Sequence, residues 1–520
     1  MTSLADRQMT RYEPDTSAIA VVLDEAGTMT IHQNSRGNYY ILTVHRRIKI
    51  LQPRGIDAYG DASVTYVHED GLSRVYDLRA QTISPNGEID VVDPEAGIFQ
   101  ERIDDRYSRY VFSFPNVRVG SIIEYTYQME VYNIFSPRPW KFRSTIPIRR
   151  SYFEFTNESR YTFSYFVQGL DYLSLASTEG DRQTYALDEM RFSVEGTRFR
   201  MERAAALRKE PFITALDDYT LRLQFQLSED PLWAGTTFYD SWGKAAETLF
   251  DHRDFGKQYQ QRSRHRDLVE AADAVISADA PPAERLVLAH RFLTQQVRWT
   301  GYEGLLTEED LDKAFGRGQA KLAELQLMGV ALLRHLGFQA HPALTSTRDH
   351  GAIITDYPFM NQFNYLFVAV ELGPDQWQLV DFTDPLIFPG LIRESALNQL
   401  AFVIKDGEAR WLQLNAPTAP SVLAVTGQLS ATGELRGELT ATRYSYDALA
   451  DRRRQAGHEL QATWQDRLPD DLSLTDFEIT TAIDDPGPVQ VKAGFSAPSY
   501  ALRNGDFLYL SPSLFFTWDR

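Results

Sequence analysis

The stretch Lys321-Leu-Ala-Glu-Leu-Gln-Leu-Met-Gly-Val-Ala-Leu-Leu-Arg-His-Leu-Gly337-Phe338 decides how the middle of this chain is read. Leu322, Leu325, Met328, Gly329, Leu332, Leu333 and Leu336 recur at three- and four-residue steps, the period of a helix that buries one face. Glu324 stands in the first turn, where the helix dipole favours an acid, and Gly337 suits a C-terminal stop. The spacing predicts a helix over 321–336. Three strand-like runs follow, at Ala340 to Ser346, Tyr365 to Leu372 and Trp377 to Phe382, the last two joined by Gly373-Pro374-Asp375. Ahead of the helix, Ala245 to Phe250 and Arg266 to Ser277 have helical spacing. Pro281-Pro282 then opens a further helix with Leu286, Ala289, Leu293 and Val297 inward and Glu284 in its first turn.

Outward from this centre the chain reads as β. Val21 to Ile31 is expected as a hairpin about Asp24-Glu25-Ala26-Gly27, and Tyr39 to Leu51 as one long strand. Strands are also predicted at Ala62 to His68, Val75 to Ile83 and Ile89 to Val92, with the turn Ser84-Pro85-Asn86-Gly87 joining the last two. Arg109 to Phe114, Ser121 to Val131 and Trp140 to Phe155 continue the pattern with no helix among them. After Val422, strands at Ala424 to Leu429 and Leu435 to Thr442 flank the turn Ala431-Thr432-Gly433. Leu508 to Trp518 is strand-like and ends abruptly, which reads as a truncated terminus. The expected fold class is multidomain α+β: an N-terminal antiparallel β-sandwich over 15–225, a central α+β domain over 240–405 and a C-terminal β domain over 418–520.

Composition narrows the function classes. The 520 residues carry 71 acidic against 53 basic side chains, a formal net charge of -18. With no local Lys/Arg stripe offsetting that field, nucleic acid and anionic membrane surfaces are unfavourable partners. No apolar run is long enough to span a bilayer; Ala18 to Leu23 ends at Asp24. There is no cysteine, which removes disulfides, Cys-ligated zinc, iron–sulfur clusters and a thiol nucleophile together, and leaves the redox compartment open. The ten histidines show no metal-binding spacing, and His335, His341 and His350 fall irregularly. Gly316-Arg317-Gly318 is a lone fragment rather than a phosphate cradle, so neither a metal nor another cofactor is expected. The 64 aromatic residues (8 Trp, 26 Tyr, 30 Phe) crowd the β regions at Tyr39-Tyr40, Tyr107 to Tyr110, Tyr152-Phe153 and Phe515-Phe516, as ordinary sheet cores do and as glycan or peptide clefts also do.

The segment 245–400 resembles the transglutaminase-like superfamily, the papain-type fold in which a helix N-terminus carries Cys and the following sheet carries His and Asp. The resemblance rests on Ala323-Glu324-Leu325 through Leu332-Leu333-Arg334-His335-Leu336-Gly337-Phe338, Pro342-Ala343-Leu344-Thr345-Ser346-Thr347-Arg348-Asp349-His350-Gly351, Gln362-Phe363-Asn364-Tyr365 and Leu379-Val380-Asp381-Phe382-Thr383. The β-rich N-terminal part, including Val119-Gly120-Ser121-Ile122-Ile123-Glu124-Tyr125, resembles the uncharacterised β domain that precedes such modules in exported bacterial proteins, notably of the Bacteroidetes. A periplasmic or cell-surface location is what that resemblance implies; no export leader is read at the N-terminus.

That family's chemistry needs a thiolate activated by a helix dipole, a His base and an orienting Asp. Counting back from Gly337, the Cys position falls on Leu322, with Ala320 as the alternative register. The His position falls on Tyr365, and Asp381 keeps the acid. A leucine offers no nucleophile, and a tyrosine with a pKa near 10 is a poor base. The resemblance therefore implies a degenerate triad and a binding or scaffolding module without enzyme activity, its ligand a peptide, glycan or cell-wall fragment at Glu324, Arg348, His350, Asn364, Tyr365 and Asp381. A hydrolase using the Glu324 and Asp381 carboxylates is the second reading, and a purely structural envelope protein the third. Each residue also has a plainer role: Glu324 as a dipole-stabilising acid, Arg348 to Gly351 as a turn, Asp381 as a hydrogen-bonded acid beside Thr383.

Overall fold

A computed structural model describes residues 2–35, 37–68, 71–103, 106–134, 137–210, 215–229, 241–417, 421–466, 468–469 and 471–510. The chain forms two compact units. One comprises Met1–Ser241 with Asp349–Gly351 and Thr355–Asn361; the other comprises Trp242–Arg348, Ala352–Ile354 and Gln362–Arg520.

The first unit is built on a ten-stranded sheet. Its centre is β1 (Ala20–Asn34), β2 (Gly37–Ile50), β3 (Ser73–Ile83), β4 (Ile122–Val131) and β5 (Ile148–Asn157), in the order β5-β1-β2-β4-β3. Two three-stranded sheets accompany it, one of Asp61–Val67, Tyr107–Ser113 and Ile98–Arg102, the other of Thr162–Gln168, Arg222–Glu229 and Trp140–Lys141. One hydrophobic core joins all three: Ile31, Leu42 and Ile123 from the large sheet meet Val64 and Phe112 from the first small sheet and Leu223 and Phe225 from the second. Along β2, Tyr40, Leu42, Val44, Ile48 and Ile50 belong to that core, the two-residue period of a half-buried strand interrupted at Arg46.

Several expectations are corrected here. The hairpin expected at Asp24 to Gly27 is instead one continuous strand with a bulge between Val22 and Asp24, and the chain reverses between Asn34 and Gly37. Gly27 is needed for closeness rather than for a turn: a Cβ there would lie 2.4 Å from the Trp140 indole and 2.8 Å from the Phe153 ring. The single strand expected from Trp140 to Phe155 divides into Trp140–Lys141, which pairs with the strand at Arg222, and β5, with Pro147 just ahead of β5. The sheet is not purely antiparallel, because β5 runs parallel to β1. Short helices at Leu4–Gln8, boxed by Ser3 and Asp6, and at Pro53–Tyr59, with Pro53 in its first turn, interrupt the β reading.

The second unit sets α1 (Pro282–Gln296) and α2 (Leu322–His335) with a five-stranded antiparallel sheet of β6 (Gln339–Thr345), β7 (Tyr365–Gly373), β8 (Gln376–Val380), β9 (Gln399–Lys405) and β10 (Glu408–Leu414), in the order β8-β7-β6-β9-β10. Every residue from Leu322 to Leu333 is buried, so α2 is a central helix and not an amphipathic surface one. It ends as predicted: Gly337, at φ +88°, lets its own N–H reach the carbonyl of Arg334 and that of Phe338 reach Leu333. Gly329 sits under Phe382, where a Cβ would come 2.2 Å from the ring. The sheet has two strands beyond the three expected, and their hairpin turns at Asp406-Gly407, both with positive φ.

Residues after 421 belong to this second unit. They form a four-stranded sheet in the order Val422–Leu429, Leu435–Arg443, Val489–Ala497, Ser473–Ile479, with α3 (Ser445–Ala456) and a short helix at Leu460–Asp466 that the β reading omitted. Of the strand expected over Leu508 to Trp518, only the start falls within Phe507–Tyr509; residues 511–520, with Phe515-Phe516, lie outside the described residues. No helix among the described residues is long and apolar enough to cross a membrane.

Substituting Gly27→Ala is expected to destabilise the first unit by about 1–3 kcal/mol through overpacking against Trp140, measured by urea unfolding. A Trp140→Leu background should remove most of the penalty; an undiminished penalty would mean that backbone conformation, not contact, demands the glycine.

Candidate functional site

The three positions singled out by the resemblance lie at element boundaries of the second unit. Leu322 opens α2, Tyr365 opens β7, and Asp381 directly follows β8. Pairing of β7 with β8 from Val368 opposite Val380 brings the start of one strand beside the end of the other, so Tyr365 and Asp381, sixteen residues apart, come into contact.

Asp381 has no exposed surface, and its carboxylate accepts five hydrogen bonds. Oδ1 takes them from the Gln326 amide at 2.8 Å, the Thr383 N–H at 3.0 Å and the Thr383 hydroxyl at 2.7 Å. Oδ2 takes them from the Tyr365 hydroxyl at 2.8 Å and the Arg393 N–H at 2.9 Å. The Asp381 backbone carbonyl accepts from His290 Nε2 on α1 at 3.0 Å. Since a carbonyl cannot donate, that nitrogen carries the proton, and burial pushes the His290 pKa down, keeping the ring neutral. Burial, reinforced by the charge of Asp381, holds the Tyr365 hydroxyl well above its usual pKa, so it stays a donor. The result is a buried charge with every acceptor position engaged, linking α1, α2, β7 and the segment at Arg393.

Leu322 and Ala320 have no exposed surface either, and the Leu322 N–H donates to the Tyr302 carbonyl at 3.0 Å. Neither side chain carries a nucleophile. Glu324 stands apart. Two residues before Gln326 on the same helix, it leaves α2 about 200° around from the side chain that holds Asp381. Its Oε1 accepts from the Glu308 N–H at 2.8 Å, while its Oε2 is buried without a partner. Burial raises its pKa. It borders a cleft of about 390 Å³ with Thr300, Glu308, Arg317 and Lys321, and Asp381 is not on that cleft. Glu324 and Asp381 do not form a carboxylate pair, which corrects the geometry assumed for the acid/base reading.

The remaining candidates are spent locally. Asn364 holds the Thr347 hydroxyl and N–H, each at 2.8 Å, fastening the approach to β7. Arg348 Nε donates to the Leu397 carbonyl at 3.1 Å. His350 belongs with Asp349 and Gly351 to the first unit and is not part of the Asp381 cluster. Sequence reasoning missed Gln326, His290 and Arg393. A signal existed for the first two: each is a polar side chain set among apolar neighbours on a helix face that packs inward, where it must find a partner. The Arg393 contribution is a backbone N–H, which no side-chain pattern announces. No group of histidines and acids among the described residues forms a metal-binding cluster.

Residues 40–189 match the family model of a domain of unknown function with a solved structure, DUF3857, in agreement with the uncharacterised domain expected N-terminally. No curated protein matches the chain. A crystal structure described as a “putative protease” from Parabacteroides distasonis shares 10% identity across 92% of this chain and 93% of its own, with a TM-score of 0.54, a likeness of fold. A second, described as a “putative cysteine protease” from Cytophaga hutchinsonii, shares 12% identity across 54% of this chain and 90% of its own, with a TM-score of 0.20.

Two pH signatures follow. A raised tyrosine pKa contributes stability that is complete below about pH 10 and is lost as pH rises toward the folded-state value, so wild type should lose up to about 1.4 kcal/mol per pH unit more than Tyr365→Phe above pH 10. Parallel alkaline profiles would show that the hydroxyl is not held as described. Glu324, also raised, contributes stability that is complete below its unfolded pKa and lost on going up through the folded value. Glu324→Gln should therefore gain on wild type as pH rises above about 4.5 in urea titrations, and a difference that stays constant as pH rises would refute the buried, half-partnered carboxyl.

Proposed function

We propose that this chain is a scaffolding protein of the bacterial envelope, built on a transglutaminase-like and cysteine-protease-like fold in which the triad corner serves as a structural link instead of a catalytic one. In this reading residues 15–225, 240–405 and 418–520 are the three domains, and the middle one holds the link. The observation that carries the reading is the sealed contact of Tyr365 with Asp381. A general base must offer a free lone pair near substrate, whereas Asp381 has both oxygens occupied and Tyr365 is held protonated. A nucleophile must be present at the start of α2, whereas Leu322 and Ala320 stand there. The fold likeness to a structure described as a protease supports the architecture and leaves the chemistry to these residues.

Burial of all three triad-equivalent positions also bears on ligands. A peptide or cell-wall fragment cannot touch Leu322, Tyr365 or Asp381 while the corner is closed, so any recognition falls on other surfaces of the protein. The corner is then kept for stability: a carboxylate with five donors resists replacement, because removing one partner strands others in the interior.

The experiment is an activity panel on the full chain, with casein, fluorogenic peptides, a glutamine donor with a primary amine acceptor, and muropeptides. No turnover above buffer is expected, while Asp381→Asn and Tyr365→Phe should each lower the unfolding free energy by about 1–3 kcal/mol. Turnover that Asp381→Asn abolishes without unfolding the protein would overturn the scaffolding assignment.

A further inference from the structure

α3 carries two buried ionisable side chains in succession, and the structure treats them oppositely. Asp451, with no exposed surface, is met by Arg443 at 3.2 Å and by Arg454 at 3.3 Å. Arg452, 2% exposed, has no carboxylate within ion-pairing distance among the described residues. Its Nη2 donates to the backbone carbonyl of Asp485 at 2.8 Å and to that of Gly487, its Nε is buried without an acceptor, and its guanidinium carbon stands 5.0 Å from the centre of the Phe388 ring. Burial pushes its pKa below the usual arginine range, with the charge of Asp485 acting the other way. Buried charges are ordinarily paired, because an uncompensated one costs several kcal/mol, on the order of the whole margin of stability.

Arg452 is part of the wall of a cavity of about 310 Å³ and is the one charged residue among the described residues of that wall. Ser445, Ala448 and Arg452, spaced as one helix face, line one side. Tyr444, in the cap position, makes no side-chain cap, so the positive end of the twelve-residue helix opens beside the same cavity. Asp447 in the first turn is engaged by Ser421 and by Arg443 at 3.3 Å. Phe388, Leu391 and the prolines Pro389, Pro417, Pro486 and Pro488 supply apolar surface to the same cavity. Holding the turn at 485–487 accounts for Nη2 alone; a neutral donor would serve that purpose without burying a charge.

We propose that this cavity binds a small carboxylate with an apolar body: the carboxylate supplies the counter-charge that Arg452 lacks, and the body packs on Phe388 and the proline walls. The volume is at the small end of ligand sites, enough for a single ring or a short branched acid. The site is distinct from the Asp381 corner, and its failure would leave the reading of that corner untouched.

Benzoate is the probe, with inorganic phosphate and sodium chloride at matched ionic strength as controls, followed by calorimetry and thermal unfolding on the full chain. Benzoate at ten times its Kd should raise the unfolding midpoint by about 2–4 °C, and phosphate should bind at least about tenfold more weakly for want of an apolar body. Arg452→Met should abolish binding. Ala448→Glu, one turn before Arg452 on the cavity face, places a carboxylate where the ligand's would sit and should abolish binding with the midpoint held or raised. If Arg452→Met does not fold, Ala448→Glu alone decides. No response to benzoate, phosphate binding as tightly as benzoate, or benzoate binding that survives Ala448→Glu would each overturn the assignment.

Discussion

The interior of the second unit depends on one carboxylate. Asp381 has no exposed surface, and a bare charge there would be costly, so the chain must deliver donors to it from every side. Gln326 fixes the rotation of α2, Tyr365 the start of β7, Thr383 the turn after β8, and the Arg393 N–H the return of the chain. His290 adds α1 through the backbone carbonyl of the same residue. Moving any of these elements by a fraction of a turn or a residue of register would leave a buried donor or acceptor unpaired. The apolar faces supply the bulk of the stabilising burial, and the polar cluster selects one arrangement among the many that would bury similar area.

Three buried charges of this unit differ in how fully they are met, and the differences separate structure from recognition. Asp381 is saturated, which suits a link and offers nothing to a ligand. Glu324 is half met, with one oxygen on the Glu308 N–H and the other without a partner beside a cleft. Arg452 has hydrogen bonds but no ion-paired carboxylate among the described residues, and it borders a cavity. Ordinary close packing explains the first case and leaves the last unexplained without a further anion. Family resemblance directs attention to the first, while charge balance directs it to the last.

Much of the fold was legible from local pattern. The three- and four-residue steps gave α1 and α2, Gly337 the stop of α2, and alternation with turn residues placed β2, β3, β4 and the central strands β6 to β8. The misreadings share a cause. Gly27 resembled a turn glycine in sequence but is demanded by Trp140, more than a hundred residues away, and the Trp140 to Phe155 run divided because its two ends pair with different partners. The hairpin of β9 and β10 was within reach, since Asp406-Gly407 is a strong turn dipeptide. At the site, Tyr365 and Asp381 were singled out by the family resemblance, whereas Gln326 could have been suspected only from its being polar inside an apolar helix.

By itself the sequence determined that no cysteine is available for thiol chemistry, that a central helix precedes an antiparallel sheet, and that leucine, tyrosine and aspartate stand at positions 322, 365 and 381. Those are statements about residue type and near-neighbour spacing, and both are written along the chain. Only the tertiary structure decided that Glu324 and Asp381 face away from each other, that Asp381 is saturated, and that Arg452 has no ion-paired carboxylate among the described residues. Each of these depends on which distant segment supplies a donor or withholds an acceptor in the buried interior, and that is settled when the elements pack.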